Sequence, residues 1–150
     1  MKKIIIALLI LFGTTVFSFA QSSQKISELM AAPEITKGQA SYLVASYMQL
    51  VKDEASEDEA FDAFKELRFF ASNENVSDLI RIDQISLLYM EACKLKGGLF
   101  YSITHSKRYA FRELKAKGLI PNQIVGSMTV SGLDAINLLN DCVAKSGGAE

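Results

Sequence analysis

The chain of 150 residues holds one histidine, His105, and two cysteines, Cys93 and Cys142. These are the side chains best suited to nucleophilic, acid–base or metal chemistry near neutral pH. His105 lies in Tyr101-Ser102-Ile103-Thr104-His105-Ser106, a polar segment in front of a helical pattern. A hydrolase would need it as the base for Ser102 or Ser106. The local spacing offers no such pairing, and no Gly-x-Ser-x-Gly elbow is present. An exposed or capping role is expected for His105, and Ser106 suits a helix N-cap. One His and two Cys also fall short of the four ligands of a zinc finger. Asn73, Asn75 and Ser77 have the 1, 3, 5 spacing of a calcium loop. Asp78 then stands where Gly is needed and Gln84 where a bidentate Glu is needed, which argues against the ion. No catalytic residue, metal or cofactor is expected, and the reading is of a protein that is not an enzyme.

Cys93 and Cys142 occupy nearly matching places in the chain, 13 positions after Ile80 and 14 after Met128. In an oxidising compartment an even pair can close a disulfide. Its loop of 49 residues would contribute about 4 kcal/mol in the chain-entropy account. The alternative is two buried thiols serving as small hydrophobes. Both readings are structural, since neither a CxxC spacing nor an activating neighbour is present.

Charge is segregated. Residues 53–66 carry Asp53, Glu54, Glu57, Asp58, Glu59, Asp62 and Glu66 against Lys65 alone. Residues 94–117 carry Lys94, Lys96, Lys107, Arg108, Arg112, Lys115 and Lys117 against Glu113 alone. Phe100, Tyr101, Tyr109 and Phe111 interleave the basic stretch. That combination suits an anionic polymer, a lipid headgroup surface or an acidic protein face. Lys37, Lys107, Arg108 and Arg112 are the candidate ligand-binding residues.

The elements that position these groups follow from length and patterning. Hydrophobic residues make up 49% of the chain and the formal net charge is -1, so one globular domain is expected with no global pull toward nucleic acid. Met1-Lys2-Lys3, the apolar run Ile4 to Leu11 and the small residues of Ser18-Phe19-Ala20 make up a secretory signal peptide over residues 1–20. Its removal leaves a net charge of -3 on one domain over 21–150, in a periplasm or secreted. No later apolar run has the roughly 20 residues a spanning helix needs.

Helical periodicity fills the rest, and nothing alternates with period two for long enough to need a strand. The class is all-α. Leu43, Val44, Met48 and Val51 mark one helix, with Thr36 and Gln39 as its capping box. Ala60, Phe64, Leu67 and Ala71, widened by Phe61 and Phe70, mark a second, opened by Ser56 and Glu59. Ile82, Ile85, Leu88, Ala92 and Leu95 mark a third, ended by Gly97-Gly98. Tyr109, Phe111 and Leu114 describe a shorter one stopped at Gly118. Leu133, Ile136, Leu139 and Val143 describe the last.

The helices repeat. Ala63-Phe64-Lys65-Glu66-Leu67 is matched 47 residues later by Ala110-Phe111-Arg112-Glu113-Leu114. Second helices also align, at Ile35-Thr36-Lys37-Gly38-Gln39, Ile80-Arg81-Ile82-Asp83-Gln84 and Met128-Thr129-Val130-Ser131-Gly132. Three helix–loop–helix units are expected, over about 24–52, 57–96 and 107–146. In the first, Ser27-Glu28-Leu29-Met30 forms a shortened first helix and Pro33 sits in a trimmed loop. Such a period implies units that share one core.

Helix, loop and a Thr-led second helix resemble the S-layer homology repeat. The likeness is carried by Tyr109-Ala110-Phe111-Arg112-Glu113-Leu114, Gly118-Leu119-Ile120 and the Ile35-Thr36-Lys37-Gly38-Gln39 segment, set against that family's Thr-Arg-Ala-Glu signature. The family's Arg is replaced by Lys37, Ile82 and Val130, and its acidic residue by Gln39, Gln84 and Gly132. The resemblance implies a three-unit bundle of pseudo-threefold form and binding of an anionic cell-wall polymer. Gly97-Gly98-Leu99-Phe100-Tyr101 with Arg108-Tyr109-Ala110-Phe111 also looks like small exported proteins of spirochaetes. The expected function is an exported, non-enzymatic envelope module that contacts a cell-wall polymer or envelope protein through its basic segment. The alternative is a structural or assembly subunit of a periplasmic complex, gripping its partner through exposed aromatics.

Overall fold

The computed structural model describes residues 23–52 and 54–147, and the signal peptide expected over residues 1–20 lies outside them. The described residues form an all-α bundle of seven helices. They are α1 (23–31), α2 (Lys37–Tyr47), α3 (Glu57–Glu66), α4 (Ile82–Ala92), α5 (Leu99–Thr104), α6 (Lys107–Ala116) and α7 (Gly132–Gly147). The helix–loop–helix units are α1–α2, α3–α4 and α6–α7. The second helix of each unit is central. Eight of the eleven residues of α2 and eight of the eleven of α4 are buried, so burial extends around most of both helices and beyond the apolar stripes that mark them. The first helices lie outside and bury one face, Ala60, Phe61 and Phe64 in α3 and Ala110 and Leu114 in α6.

Each second helix packs on the first helix of the following unit, α2 on α3 and α4 on α6. The loop of that following unit satisfies its otherwise orphaned amino-terminal N–H groups. Lys37 and Gly38 donate to Asp78 and Val76 at 2.8 and 2.9 Å, and Ile82 and Asp83 donate to Met128 and Gly126 at 2.8 and 3.0 Å. At the third joint Gly132 donates to Ala32 at 3.0 Å, so the shortened first unit closes the arrangement. Ile35, Ile80 and Val130 meet at the centre, all buried. The Ile35 N–H donates to Val130 and the Ile80 N–H donates to Ile35, both at 3.0 Å.

This geometry fixes the repeat register. Units two and three superpose element by element at a spacing of 50 residues, and units one and two at 45 from Ile35 to Ile80. The Ala-Phe-x-Glu-Leu match at 47 is therefore three positions out of register. Ala60 and Ala110 are the true equivalents, both fully buried. In the third unit the residue equivalent to Ile35 and Ile80 is Val130, not Met128. The position of Lys37 and Ile82 then falls on Gly132, and that of Gln39 and Gln84 on Asp134. Ser131 and Asp134 bear this out, since the Asp134 N–H donates to the Ser131 hydroxyl at 3.1 Å as the Gln39 N–H donates to Thr36 on α2, and the Ser131 hydroxyl in turn donates to the Asp134 carboxylate at 2.7 Å.

Four helices stop through a left-handed residue with a closing bond from the next N–H, a Schellman turn. Those bonds are Leu50 to Ala45, Phe69 to Phe64, Leu95 to Met90 and Leu119 to Leu114, each 2.9 or 3.0 Å. The left-handed residues are Gln49, Arg68, Lys94 and Gly118. The apolar stripes therefore overran their helices. Leu67 is exposed beyond the end of α3, Met48 and Val51 lie past α2, and α4 ends at Ala92, with its left-handed turn at Lys94, before Gly97-Gly98 is reached. Arg68 at φ 65° and Gly118 at φ 76° are equivalents, and a Cβ at Gly118 would touch nothing. Arg68→Gly should stabilise the protein by about 0.5 kcal/mol, and Gly118→Ala should cost about 1 kcal/mol through the backbone alone. Urea midpoints of the two variants test both signs.

A basic face as the candidate functional site

Among the four candidate residues, three share a surface and one does not. Lys107, Arg108 and Arg112 lie exposed on α6. Lys94 and Lys96 are exposed just ahead of α5. None of these five takes part in a salt bridge among the described residues. Lys115 is different. Its ammonium donates to the Asn122 and Ile124 carbonyls at 2.8 and 2.9 Å and lies over the Phe111 ring. Lys65 does the same work one unit earlier, toward the Glu74 carbonyl and the Phe61 ring. Both lysines belong to the fold.

Lys37 is the departure from expectation. Only 5% of it is exposed, and its Nζ stands 3.0 Å from Glu74 Oε1 and 3.0 Å from Asp78 Oδ2. As the first residue of α2 it faces the incoming loop of the next unit. Glu74 also accepts from the Ala71 N–H at 2.7 Å and the Gln84 amide at 2.8 Å. A cation buried and neutralised in this way has no charge to offer a ligand. Lys37 is a structural residue and leaves the binding set.

The aromatics of the basic stretch divide as well. Tyr101 is buried and Phe111 packs against the core. Phe100 stacks on Tyr109 with centroids 5.5 Å apart, and the Arg112 guanidinium lies over the other ring at 5.9 Å. A layered unit of Phe100, Tyr109 and Arg112 thus ties α5 to α6. The six-residue helix α5 had no periodic signal in the sequence, where only its last four residues fall in the polar segment that starts at Tyr101. It is held from beneath by Glu91, whose Oε1 accepts from the Tyr101 hydroxyl at 2.6 Å and contacts His105 Nδ1 at 2.7 Å. Burial and the Glu91 carboxylate push the Tyr101 hydroxyl far above its usual range, so it stays a donor. His105 caps α5 in the left-handed conformation at φ 43°, in line with the capping role expected of it. Ser106 takes the N-cap position of α6 without a side-chain capping bond.

Charge on α6 is not imposed by the fold. The residues of α3 at the equivalent positions are acidic, with Glu57, Asp58 and Asp62 standing where α6 has Lys107, Arg108 and Arg112. Two helices in the same setting carry opposite charge on their outer faces.

Cys93 and Cys142 are buried, unbridged thiols. Burial pushes the Cys142 thiol up to about 12, and burial also raises that of Cys93. Neither supplies a thiolate at neutral pH. A cleft of about 270 Å³ opens at the second joint beside Ile82, Ile124, Met128 and Leu138. No group of three or more metal-ligating side chains converges among the described residues. No described helix is long and apolar enough to cross a membrane. The chain matches no protein-family model, no curated protein and no solved structure.

Proposed function

We propose that the protein is an exported, non-enzymatic binding module that docks on an anionic component of the cell envelope through the basic face of α6. The observation that carries the reading is the charge inversion between α3 and α6. The outer faces of the two helices carry opposite charge in the same setting, and α6 gathers exposed cations that form no salt bridge among the described residues. Such a face attracts polyanions without needing shaped partners. Export rests on the signal peptide read at residues 1–20. A cell-wall polymer is the first target to test, in keeping with the resemblance to S-layer homology repeats. The runner-up, an assembly subunit, would grip a protein partner through apolar contacts.

The protein without residues 1–20 should pellet with isolated cell-wall sacculi at low salt and come off at high salt, because the Debye length that screens exposed charges shrinks from about 30 Å at 0.01 M to about 3 Å at 1 M. Arg108→Glu with Arg112→Glu should weaken binding at least about tenfold with the fold intact by circular dichroism. Binding that survives both salt and charge reversal would remove the basic face from the site and favour the assembly subunit.

A further inference from the structure

The link between units one and two spans residues 48–56, whereas that between units two and three spans 93–106. The extra length forms α5, which the bundle does not need, since the first link connects equivalent helices without it. On α5 the apolar side chains point outward. Leu99 and Ile103 are each 71% exposed and Phe100 is 64% exposed, which makes Leu99 and Ile103 the most exposed large hydrophobics among the described residues. They lie at i, i+1 and i+4, one helical face, while Tyr101 alone turns inward onto Glu91. An inserted element that shows its apolar face to solvent calls for an explanation outside the fold.

The cations locate that explanation. Lys94 and Lys96 precede the wedge, Lys107 and Arg108 follow it within five residues of Ile103, and Arg112 is joined to it through the Tyr109 ring. We infer that α5 is an interfacial wedge that seats Leu99, Phe100 and Ile103 among the acyl chains of an anionic lipid surface while the surrounding Lys and Arg engage its headgroups. This rests on the proposed basic face and names its partner.

Two features favour lipid over a folded protein. Three side chains on a six-residue helix cover far less than the 1,200 to 2,000 Å² or so of a stable protein interface. A bilayer needs no such area, because it closes around each inserted side chain and its surface potential acts on every nearby cation without geometric pairing. The Glu91 clamp on Tyr101 and His105 also holds the wedge in place before contact, which lowers the ordering cost of insertion.

The chain has no Trp, so Phe100→Trp places a single indole in the wedge. Its emission should shift to the blue on vesicles of phosphatidylglycerol with phosphatidylcholine, and bromine-labelled acyl chains should quench it. Phosphatidylcholine alone should do neither. In the otherwise native protein, Leu99→Ser with Ile103→Ser should weaken pelleting with the anionic vesicles at least about tenfold, with an unchanged melting curve and unchanged binding to sacculi. Arg108→Glu with Arg112→Glu should abolish both kinds of binding. If charge reversal abolishes sacculus binding while the indole neither shifts nor is quenched, the basic face stands and the lipid wedge falls. An equal shift on phosphatidylcholine alone would also overturn the inference, since the cations would then contribute nothing. If charge reversal changes binding to neither target, the basic-face reading itself falls and the wedge with it.

Discussion

Gly132→Ala should lower the unfolding free energy by about 3 kcal/mol or more, the upper end of what overpacking costs. A Cβ built at Gly132 overlaps the Leu29 carbonyl oxygen outright and crowds its carbonyl carbon at 2.6 Å. Both are main-chain atoms of α1, which cannot rotate aside as a side chain would. The Gly132 N–H is also fixed, donating to Ala32 at 3.0 Å. The close approach follows from loop length. In units two and three, residues 67–81 and 117–131 separate the paired helices, and only residues 32–36 do so in unit one. The longer loops bring side chains to the joint, so Lys37 and Ile82 fit at the equivalent positions. The trimmed loop brings the backbone of α1 instead, and only hydrogen fits there. Gly147→Ala, near the end of the same helix, meets nothing within 4 Å and should be neutral or slightly stabilising. Urea midpoints compared between the two variants check the claim. A Gly132→Ala midpoint indistinguishable from the parent would mean that α1 does not sit against α7 in solution.

That glycine was present in the sequence, but its meaning was not. With the third segment aligned at Met128, Gly132 fell two positions from its true equivalents. The all-α class, the three units and the capping boxes at Thr36 and Ser56 were legible because local bonding sets them, through a periodic stripe and an N–H three residues away. Helix ends were less so, since Gln49, Arg68 and Lys94 adopt a left-handed turn that their residue types do not announce. Of the candidate site, the cluster on α6 was readable as a run of charge. The fate of Lys37 was not, because its partners lie 37 and 41 residues away and no local spacing reveals a pairing across a joint. The wedge was hidden for the opposite reason. Leu99, Phe100 and Ile103 look like core residues by type, and only the inward turn of Tyr101 shows that they are not.

The three joints share one geometry and fill it differently, which allows a transplant. Lys37, Glu74 and Asp78 at the first joint correspond to Ile82, Ile124 and Met128 at the second. Lys37→Ile alone should destabilise the protein. It removes the cation between two carboxylates and leaves Glu74 partly buried without it. Glu74 keeps 21% of its side chain in solvent, which screens the loss and holds the cost to about 2 kcal/mol. Lys37→Ile with Glu74→Ile and Asp78→Met should recover much of that loss, because an apolar joint avoids burying the Lys37 and Glu74 charges, while the Gln84 amide gives up the carboxylate that accepts from it. The acid limb separates this account from simple repacking. Burial pushes the Glu74 carboxyl up, but the Ala71 N–H, Lys37 and the Gln84 amide together outweigh it and hold it below its usual range. The Asn75 N–H and Lys37 hold Asp78 low as well. Carboxyls depressed by folding stabilise fully above their unfolded pKa of about 4 and lose that contribution as the pH falls through their folded values. The parent should therefore lose more stability than the triple variant as the pH is lowered from about 5 into the acid range. Equal losses would show that the charged joint contributes nothing to the acid sensitivity. A triple variant no more stable than Lys37→Ile would show that the two joints are not interchangeable, and that the ion cluster sets the geometry where the second unit meets the first.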